Sequence, residues 1–126
     1  MIELAEYIYF GTIAGIVGFS SFGAGIGQGI TGNAAIKAMN IQPQARAEIS
    51  RMALMGMAMI DTASILCLTI ALMMVWTTEL GPETINMHIA QLGVFFALSI
   101  PSFIIGIVSA LPAQYALLSA ARQPFF

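Results

Sequence analysis

Residues 52–76 read MALMGMAMIDTASILCLTIALMMVW, a run in which Asp61 is the only charged side chain. A helix of about 20 mostly apolar residues suffices to cross the roughly 30 Å hydrocarbon core of a membrane, and this run is longer. A charged side chain near the middle of a spanning helix costs about 2.5–3.5 kcal/mol on insertion scales, and such residues usually mark an ion or proton pathway. Asp61 is therefore the first candidate functional residue. The alternative is an acid satisfied by a neighbouring helix that does nothing else.

The composition of the whole chain agrees with a membrane protein. Of its 126 residues, 59% are hydrophobic and 8% are charged, whereas a soluble domain has about 25% charged residues. The chain is too short for two domains and has almost no material for a domain outside the membrane. Because the N-terminal segment before Phe10 lacks a basic region, we expect the following apolar stretch to be a transmembrane helix and not a cleaved signal peptide.

Charge and hydropathy together predict an all-α integral membrane protein, a transmembrane hairpin plus a third transmembrane helix. The predicted segments are a first helix at 7–38, a polar loop at 39–50, a second helix at 51–76, an outer loop at 77–88, a third helix at 89–119 and a tail at 120–126. All four basic residues lie at the first loop or near the C-terminus: Lys37, Arg46, Arg51 and Arg122. By the positive-inside rule, both of those regions face the cytoplasm.

The first apolar segment is rich in glycine and contains Gly23-Ala-Gly25-Ile-Gly27-Gln28-Gly29. In a membrane, glycine permits neighbouring helices to approach closely, and the spacing of four residues is typical of such packing. A spacing of two places small residues on more than one face, as an inner ring of identical helices requires. A simple dimerisation seam is the alternative. A phosphate-binding glycine loop is excluded, because that motif follows a strand and no strand pattern is present.

Gln28 and Asp61 are predicted to lie at one depth in the membrane. If the first loop has its apex near Gln44, Gln28 precedes the apex by almost the same number of residues as Asp61 follows it. At 1.5 Å of rise per residue, both are then about 24–26 Å from the loop. Gln28 can donate an amide N–H to the carboxylate or offer its carbonyl to a cation, and Thr62 adds a hydroxyl. The alternative role for Gln28 is an interhelical hydrogen bond worth about 0.6 kcal/mol.

These features resemble the c subunit, the ring-forming proteolipid of rotary ATP synthases. The resemblance rests on the Gly-x-Gly-x-Gly-Gln-Gly helix, the Gln-Pro loop and the position of the lone Asp61 carboxylate relative to Pro43. It implies that many copies form a ring and that an acid on the outer helix carries H⁺ or Na⁺. Four positions match the family's ion site: Asp61 as the acid, Gln28 as the inner-helix ligand, Thr62 as the hydroxyl and Met59 through its backbone carbonyl.

The resemblance also implies the partners of this chain. They are a stator subunit that supplies an arginine, central stalk subunits and membrane lipids, with no nucleic acid, no cofactor beyond the transported ion and no catalytic site in the chain itself. The stalk contact falls on Gln42, Pro43 and Arg46, although Ile41 stands where the family usually has arginine. H⁺ is favoured over Na⁺, because sodium-binding members often have a hydroxyl where this chain has Ala63. The expected location is a bacterial inner membrane or an energy-transducing organellar membrane.

The third apolar segment repeats part of the first at a constant offset along the chain. The identical pairs are Phe22/Phe103, Gly25/Gly106, Ile26/Ile107, Ala35/Ala116, Gln42/Gln123 and Pro43/Pro124. We interpret this segment as the first helix of a second hairpin, against the alternative of an unrelated helix with a chance Arg-Gln-Pro ending. It contains no charged side chain, so one ion site per chain is expected. Pro101 and Pro112 can kink it.

Two other classes of function remain open from the sequence. One is a small pore or secondary transporter that uses Asp61 as its coupling carboxylate, and it predicts ion conduction without other subunits. The other is a passive membrane scaffold, which predicts that replacing Asp61 by asparagine leaves all activity intact.

Overall fold

The computed structural model describes residues 2–77 and 85–123, which are helical almost throughout and contain no strand. The helices are α1 (Ile2–Ile41), α2 (Arg46–Thr77), α3 (Ile85–Val108) and α4 (Ala110–Ala120), with a 3-10 turn at Pro43–Ala45. Three spans are long and apolar enough to cross a membrane: Leu4–Ile41, Pro43–Thr77 and Met87–Ala120. The prediction of an all-α membrane fold with a third long apolar helix is confirmed.

The turn between α1 and α2 is tighter than the predicted loop at 39–50, since only residues 42–45 lie outside the α-helices. Gln42 has φ −132° and ψ 82°, which lies outside the α-helical region that a following proline disfavours. Pro43 then begins the 3-10 turn, where its missing N–H is not needed. Residues 78–84 of the predicted outer loop and residues 124–126 of the predicted tail lie outside the described residues.

The third span is interrupted once, at Ser109 between α3 and α4. Pro112 lies in the first turn of α4, where a missing N–H breaks no helical hydrogen bond. The same ring would clash with the carbonyl group of Val108 in an unbroken helix, which explains why α3 ends there. Pro101 lies within α3 without ending it. Of the two prolines expected to kink the helix, Pro112 therefore coincides with the break.

Buried apolar side chains pack in three clusters along the bundle, of which two join all three spans and the one at the far end joins α1 and α2. Nearest the turn, Ala45 and Ile49 of the hairpin pack in one cluster with Leu117 and Ala121 from the end of the third span. At mid-height the cluster is Ala24, Ile60 and Ala110, and at the far end it is Tyr9, Ile13 and Ala71. The end of α4 therefore lies at the same end of the bundle as the turn.

The outward-facing surface of the bundle is apolar. Large side chains on every span are more than half exposed, among them Phe10, Leu54, Met55 and Ile105. A soluble monomer seldom leaves so much contiguous apolar surface uncovered. This surface suits contact with lipid chains or with further apolar helices.

Candidate functional site

Asp61 lies at the centre of α2, almost equally far along the chain from Arg46 at one end and Thr77 at the other. Its side chain is half-buried in this single chain. Among residues 4–77 and 87–123, no side chain or backbone group forms a hydrogen bond or ion pair with the Asp61 carboxyl group. A carboxyl group at this depth needs a proton, a cation or polar partners, because an isolated charge is costly to remove from water.

Two contacts define how the Asp61 face of α2 lies against α1. One helical turn before Asp61, the Met57 methyl carbon comes within 3.3 Å of the position that a Cβ atom on Gly32 would occupy. One turn after Asp61, the Ser64 hydroxyl lies 3.5 Å from the Ser21 hydroxyl. The α1 segment between these two contacts contains Gln28 and Gly25. Asp61 therefore lies between these two contacts, on the α2 face that runs along the part of α1 containing Gly25 and Gln28.

The individual ligand candidates differ in what they offer to an ion at Asp61. The Gln28 side chain is half-buried, and no hydrogen bond joins it to Asp61 in the described part of the chain. The Thr62 hydroxyl donates to the Ala58 carbonyl at 3.3 Å, so it can only accept from an ion-site partner. The Met59 side chain is 72% exposed. The Met59 backbone carbonyl accepts a helical hydrogen bond within α2, and one of its lone pairs remains for an ion.

Ser21 and Ser64 are polar groups near Asp61 that the sequence reasoning missed. The spacing in the sequence could have indicated each of them. Ser64 is three residues after Asp61, and Ser21 is seven residues before Gln28. Each pair therefore shares one face of its helix. The sequence reasoning considered hydroxyl groups only at the two positions after the acid, where Thr62 has one and Ala63 has none. The pairing across the two helices depends on the register of α1 against α2.

The four central glycines of α1 divide into two pairs. A Cβ atom on Gly23 would lie 2.6 Å from the Cα and O atoms of Phe103, and one on Gly27 would overlap the Gly106 carbonyl oxygen. These two glycines therefore form the crossing with α3. Gly25 and Gly29 have no atom within 4 Å of their Cβ positions, so their face of α1 is open.

The residues predicted to contact a central stalk lie at the turn. Pro43 and Arg46 are exposed, and Gln42 is half-buried. Arg51 forms an ion pair with Glu48 at 3.4 Å, and exposed pairs of this kind contribute at most about 1 kcal/mol. The turn therefore presents basic side chains at its surface. No group of three or more His, Cys, Asp or Glu side chains with metal-binding geometry occurs in the described ranges.

Comparison with known proteins identifies the family. The family model for the ATP synthase C subunit matches residues 12–74, half of the chain, which includes the glycine pattern, the turn and Asp61. The chain belongs to this family. The match ends before α3, so the third span has no counterpart in it. No solved structure matches the chain.

Curated relatives agree with this assignment. ATP synthase subunit c 2 of Cereibacter sphaeroides is 42% identical to this chain over 60 residues. The alignment covers 48% of this chain and 72% of that protein. The ATP synthase c subunit of Alkaliphilus oremlandii is 37% identical over 67 residues, 53% of this chain and 76% of that protein. The protein of the same name from Syntrophobacter fumaroxidans is 31% identical over 76 residues, 60% of this chain and 84% of that protein.

Family membership confirms the broad functional expectations. The chain is an integral, multi-pass membrane subunit of the ATP synthase type and not a catalytic subunit. Its three long apolar helices agree with that location, and its bacterial relatives support the bacterial inner membrane. The general role is that of an ATP synthase c subunit, within the broad processes of ATP synthesis and ion transport.

Proposed function

We propose that this chain is the ion-translocating rotor subunit of a rotary ATP synthase and that Asp61 carries H⁺ across the membrane. The observation that supports this most strongly is the position of Asp61, at the centre of α2 and on the face that runs along the Gly25 and Gln28 part of α1. Both residues lie within the family match. The carboxyl group has no polar partner among the described residues, so it is available to an exchangeable ion.

The mechanism follows from the cost of a charge in lipid. Where Asp61 faces lipid, its carboxyl group must be protonated or paired with a cation. Where it faces the stator subunit, an arginine on that subunit favours the ionised form and releases the ion. Alternation between these surroundings along two offset half-channels makes rotation directional. Since one charge crossing 100 mV yields about 2.3 kcal/mol, several transfers are needed for each ATP.

The assembly proposed for this mechanism is a homo-oligomeric ring. The open face of α1 at Gly25 and Gly29 and the apolar outward-facing surface support contact with further copies. Within the chain, α3 already packs closely against Gly23 and Gly27. We propose that α3 and α4 take an inner-ring place beside α1, because this span repeats part of the α1 sequence. The exposed turn at Pro43 and Arg46 would contact the central stalk.

A third helix in the ring has a consequence for energy conversion. Each chain then adds three helices to the circumference of the ring but only one carboxyl group, Asp61. The number of ions carried per helix crossed falls. In a ring of a given circumference, the free energy that one full rotation collects from the membrane potential falls with it. This arrangement favours ATP-driven ion pumping over ATP synthesis.

The particle obtained by mild detergent extraction tests the proposed function. We expect a closed ring of identical chains whose Asp61 carboxyl groups react with a hydrophobic carbodiimide, since a neutral carboxyl facing lipid is the preferred target of that reagent. A monomer or dimer would contradict the ring. The alternative pore or transporter is distinguished by reconstituting the purified chain alone. Ion conduction through those vesicles would favour that alternative.

We expect millimolar Na⁺ to leave the carbodiimide labelling of Asp61 unchanged at neutral pH. A sodium site needs several oxygen ligands, and Asp61 is shorter than glutamate, so a closed cage around the ion is harder to complete. The measurement is the labelling rate at increasing NaCl, with KCl at equal ionic strength as the control. Saturable protection by Na⁺ alone would overturn the assignment of H⁺.

We expect the end of α4 to lie on the cytoplasmic side, together with the turn at Pro43. Arg122 follows α4, and basic residues near span ends favour the cytoplasm. Ser119→Cys in a Cys67→Ala background should react with a membrane-impermeant maleimide only from that side. Ser119 is exposed, so the thiol would be accessible, and Cys67 is buried. A matched cysteine at Gln44 reports the side of the turn, and labelling of the two positions from opposite sides would refute this topology.

A further inference from the structure

A cavity lies at the far end of the bundle, where α1, α2 and α3 meet on the side away from the turn. Its volume is about 480 Å³, which is within the range of small-ligand sites. It is separate from the Asp61 site at the centre of α2. The residues that line this cavity are Tyr9 of α1, Met74 and Thr77 of α2, and Met87, Ala90, Gln91 and Val94 of α3.

One polar side chain of the cavity has an unmet hydrogen-bonding group. Gln91 is only 8% exposed, and its carbonyl oxygen accepts no hydrogen bond from any group in the described part of the chain. Leaving a buried acceptor unpaired is costly, so a bound group that donates to this oxygen is favoured. The last torsion of a glutamine side chain is broad, which lets the amide turn to meet such a group.

The hydroxyl group of Thr77 adds a second acceptor. It donates its proton to the Met73 backbone carbonyl at 2.7 Å, so it offers a ligand only an oxygen lone pair. Tyr9 donates to the Met74 backbone carbonyl and so joins α1 to α2 at the wall of the cavity. The cavity therefore matches a polar group that carries at least two N–H or O–H donors.

The depth of the cavity matches the head groups of lipids. Met74 and Thr77 follow Asp61 by about 20 and 24 Å along α2. With Asp61 at the middle of the membrane, the hydrocarbon core ends about 15 Å away and the head-group layer about 20–22 Å away. Because α3 enters the membrane at this end, Val94 lies deeper than Gln91, and its partly exposed apolar side chain leads from the cavity toward the hydrocarbon core.

The distribution of charge favours an ammonium group over a head group with a net negative charge. At the cavity end of α1, Glu6 lies three residues before Tyr9 and shares its helix face. All four lysine and arginine side chains lie toward the turn at the opposite end: Lys37, Arg46, Arg51 and Arg122. An anionic head group would therefore have no lysine or arginine beside it at this end.

We propose that this cavity binds the head group of phosphatidylethanolamine. Its ammonium group has three N–H donors and donates to the Gln91 carbonyl oxygen and the Thr77 hydroxyl oxygen, while the Gln91 NH₂ group donates to the phosphate of the same head group. One acyl chain lies along α3 past Val94. The family match ends at residue 74, so the α3 wall of this site lies outside the region shared with the family. The site belongs to a single chain and is independent of ion exchange at Asp61.

The test is lipid binding to the delipidated, detergent-solubilised protein, measured by native mass spectrometry. The probes are phosphatidylethanolamine, phosphatidylcholine and phosphatidylglycerol with identical acyl chains. Phosphatidylcholine has a quaternary ammonium group without an N–H donor, and phosphatidylglycerol has hydroxyl donors and a net negative charge. We expect phosphatidylethanolamine to bind about tenfold more tightly than either, because hydrogen bonds that involve a charged group are among the stronger ones. Equal binding of the three lipids, or a preference for phosphatidylglycerol, would overturn the proposal.

Variants of Gln91 test which atom meets the ammonium group. Gln91→Leu removes the amide at similar size and should lower the affinity for phosphatidylethanolamine to that for phosphatidylcholine. Gln91→Glu keeps an acceptor and adds negative charge, so it should strengthen phosphatidylethanolamine binding. If the phosphate were the group held at this position, Gln91→Glu would weaken binding and overturn the assignment of the ammonium group.

Gln114→Leu is the matched control, because Gln114 is a half-buried glutamine on α4, about 34 Å further along the same span. It should bind phosphatidylethanolamine as the parent does. Binding by Gln91→Leu equal to that of the parent would overturn the proposal. If circular dichroism shows that Gln91→Leu does not fold, the ranking of the three lipids by the parent chain still decides. Neither result bears on the ring or on ion transport by Asp61.

Discussion

Asp61→Asn is expected to abolish ion-coupled ATP synthesis and ATP-driven ion pumping while leaving the subunit assembled. The amide is nearly isosteric with the carboxyl group, so the packing of α2 at this position is preserved. It has no ionisable proton and no charge to pair with a cation, and therefore cannot alternate between the lipid and stator environments. The measurement is acidification of membrane vesicles that contain the complete complex, driven by ATP.

Asp61→Glu is the control for this loss. It retains an ionisable carboxyl group on a side chain one methylene longer, and it should keep part of the pumping rate. Ring formation is measured in parallel for both variants, so that a failure of assembly is not mistaken for a failure of transport. Normal pumping by Asp61→Asn would contradict the carrier role. It would favour the passive scaffold, which does not need an ionisable group at this position.

Gly27→Ala is expected to give the largest loss of stability among the glycine-to-alanine substitutions in α1. Alanine is ordinarily about 1 kcal/mol more favourable than glycine within a helix. At this position, however, the added Cβ atom would overlap the Gly106 carbonyl oxygen of α3. Backbone atoms on both sides cannot move aside as a flexible side chain can. We expect a destabilisation of about 3 kcal/mol, at the upper end of the usual range for overpacking.

The measurement is the free energy of unfolding of the detergent-solubilised chain, followed by circular dichroism as a denaturing detergent is added. Gly93→Ala is the matched control, because it adds the same methyl group to α3 at a position with no atom within 4 Å. It should be neutral or slightly stabilising. Gly106→Ala adds a Cβ atom on the α3 side of the same crossing, 2.6 Å from the Gly23 carbonyl carbon. Equal stability of Gly27→Ala and the parent chain would refute this account of the crossing.

The α1–α3 crossing also determines which glycines of the family's glycine pattern form contacts within this chain. The glycine pattern allows close approach on two faces of α1, at Gly23 and Gly27 and at Gly25 and Gly29. One face is occupied by the chain's own α3. Only the other remains for a neighbouring copy in the proposed ring. A third helix therefore changes which glycines are intramolecular contacts, without a change in the pattern itself.

The sequence was sufficient for the features that depend on composition and local spacing. The three spans could be predicted from runs of apolar residues, because crossing the hydrocarbon core requires a long apolar helix whatever its neighbours are. Asp61 stands out for the same reason, since a lone charge in such a run is costly wherever the helix packs. The equal depth of Gln28 and Asp61 follows from counting residues in a hairpin and stays a prediction, which the Met57–Gly32 and Ser21–Ser64 contacts on either side of Asp61 support.

Other features depended on how the helices pack against one another. Small residues lie on more than one face of α1, so spacing alone cannot say that Gly23 and Gly27 meet α3 while Gly25 stays open. The Ser21–Ser64 pair joins residues 43 positions apart, and it exists only because α1 and α2 adopt one particular register. Rotation of either helix by a fraction of a turn would separate the two hydroxyls without altering any local pattern. Contacts of this kind are set by side-chain packing between helices, which a single sequence does not specify.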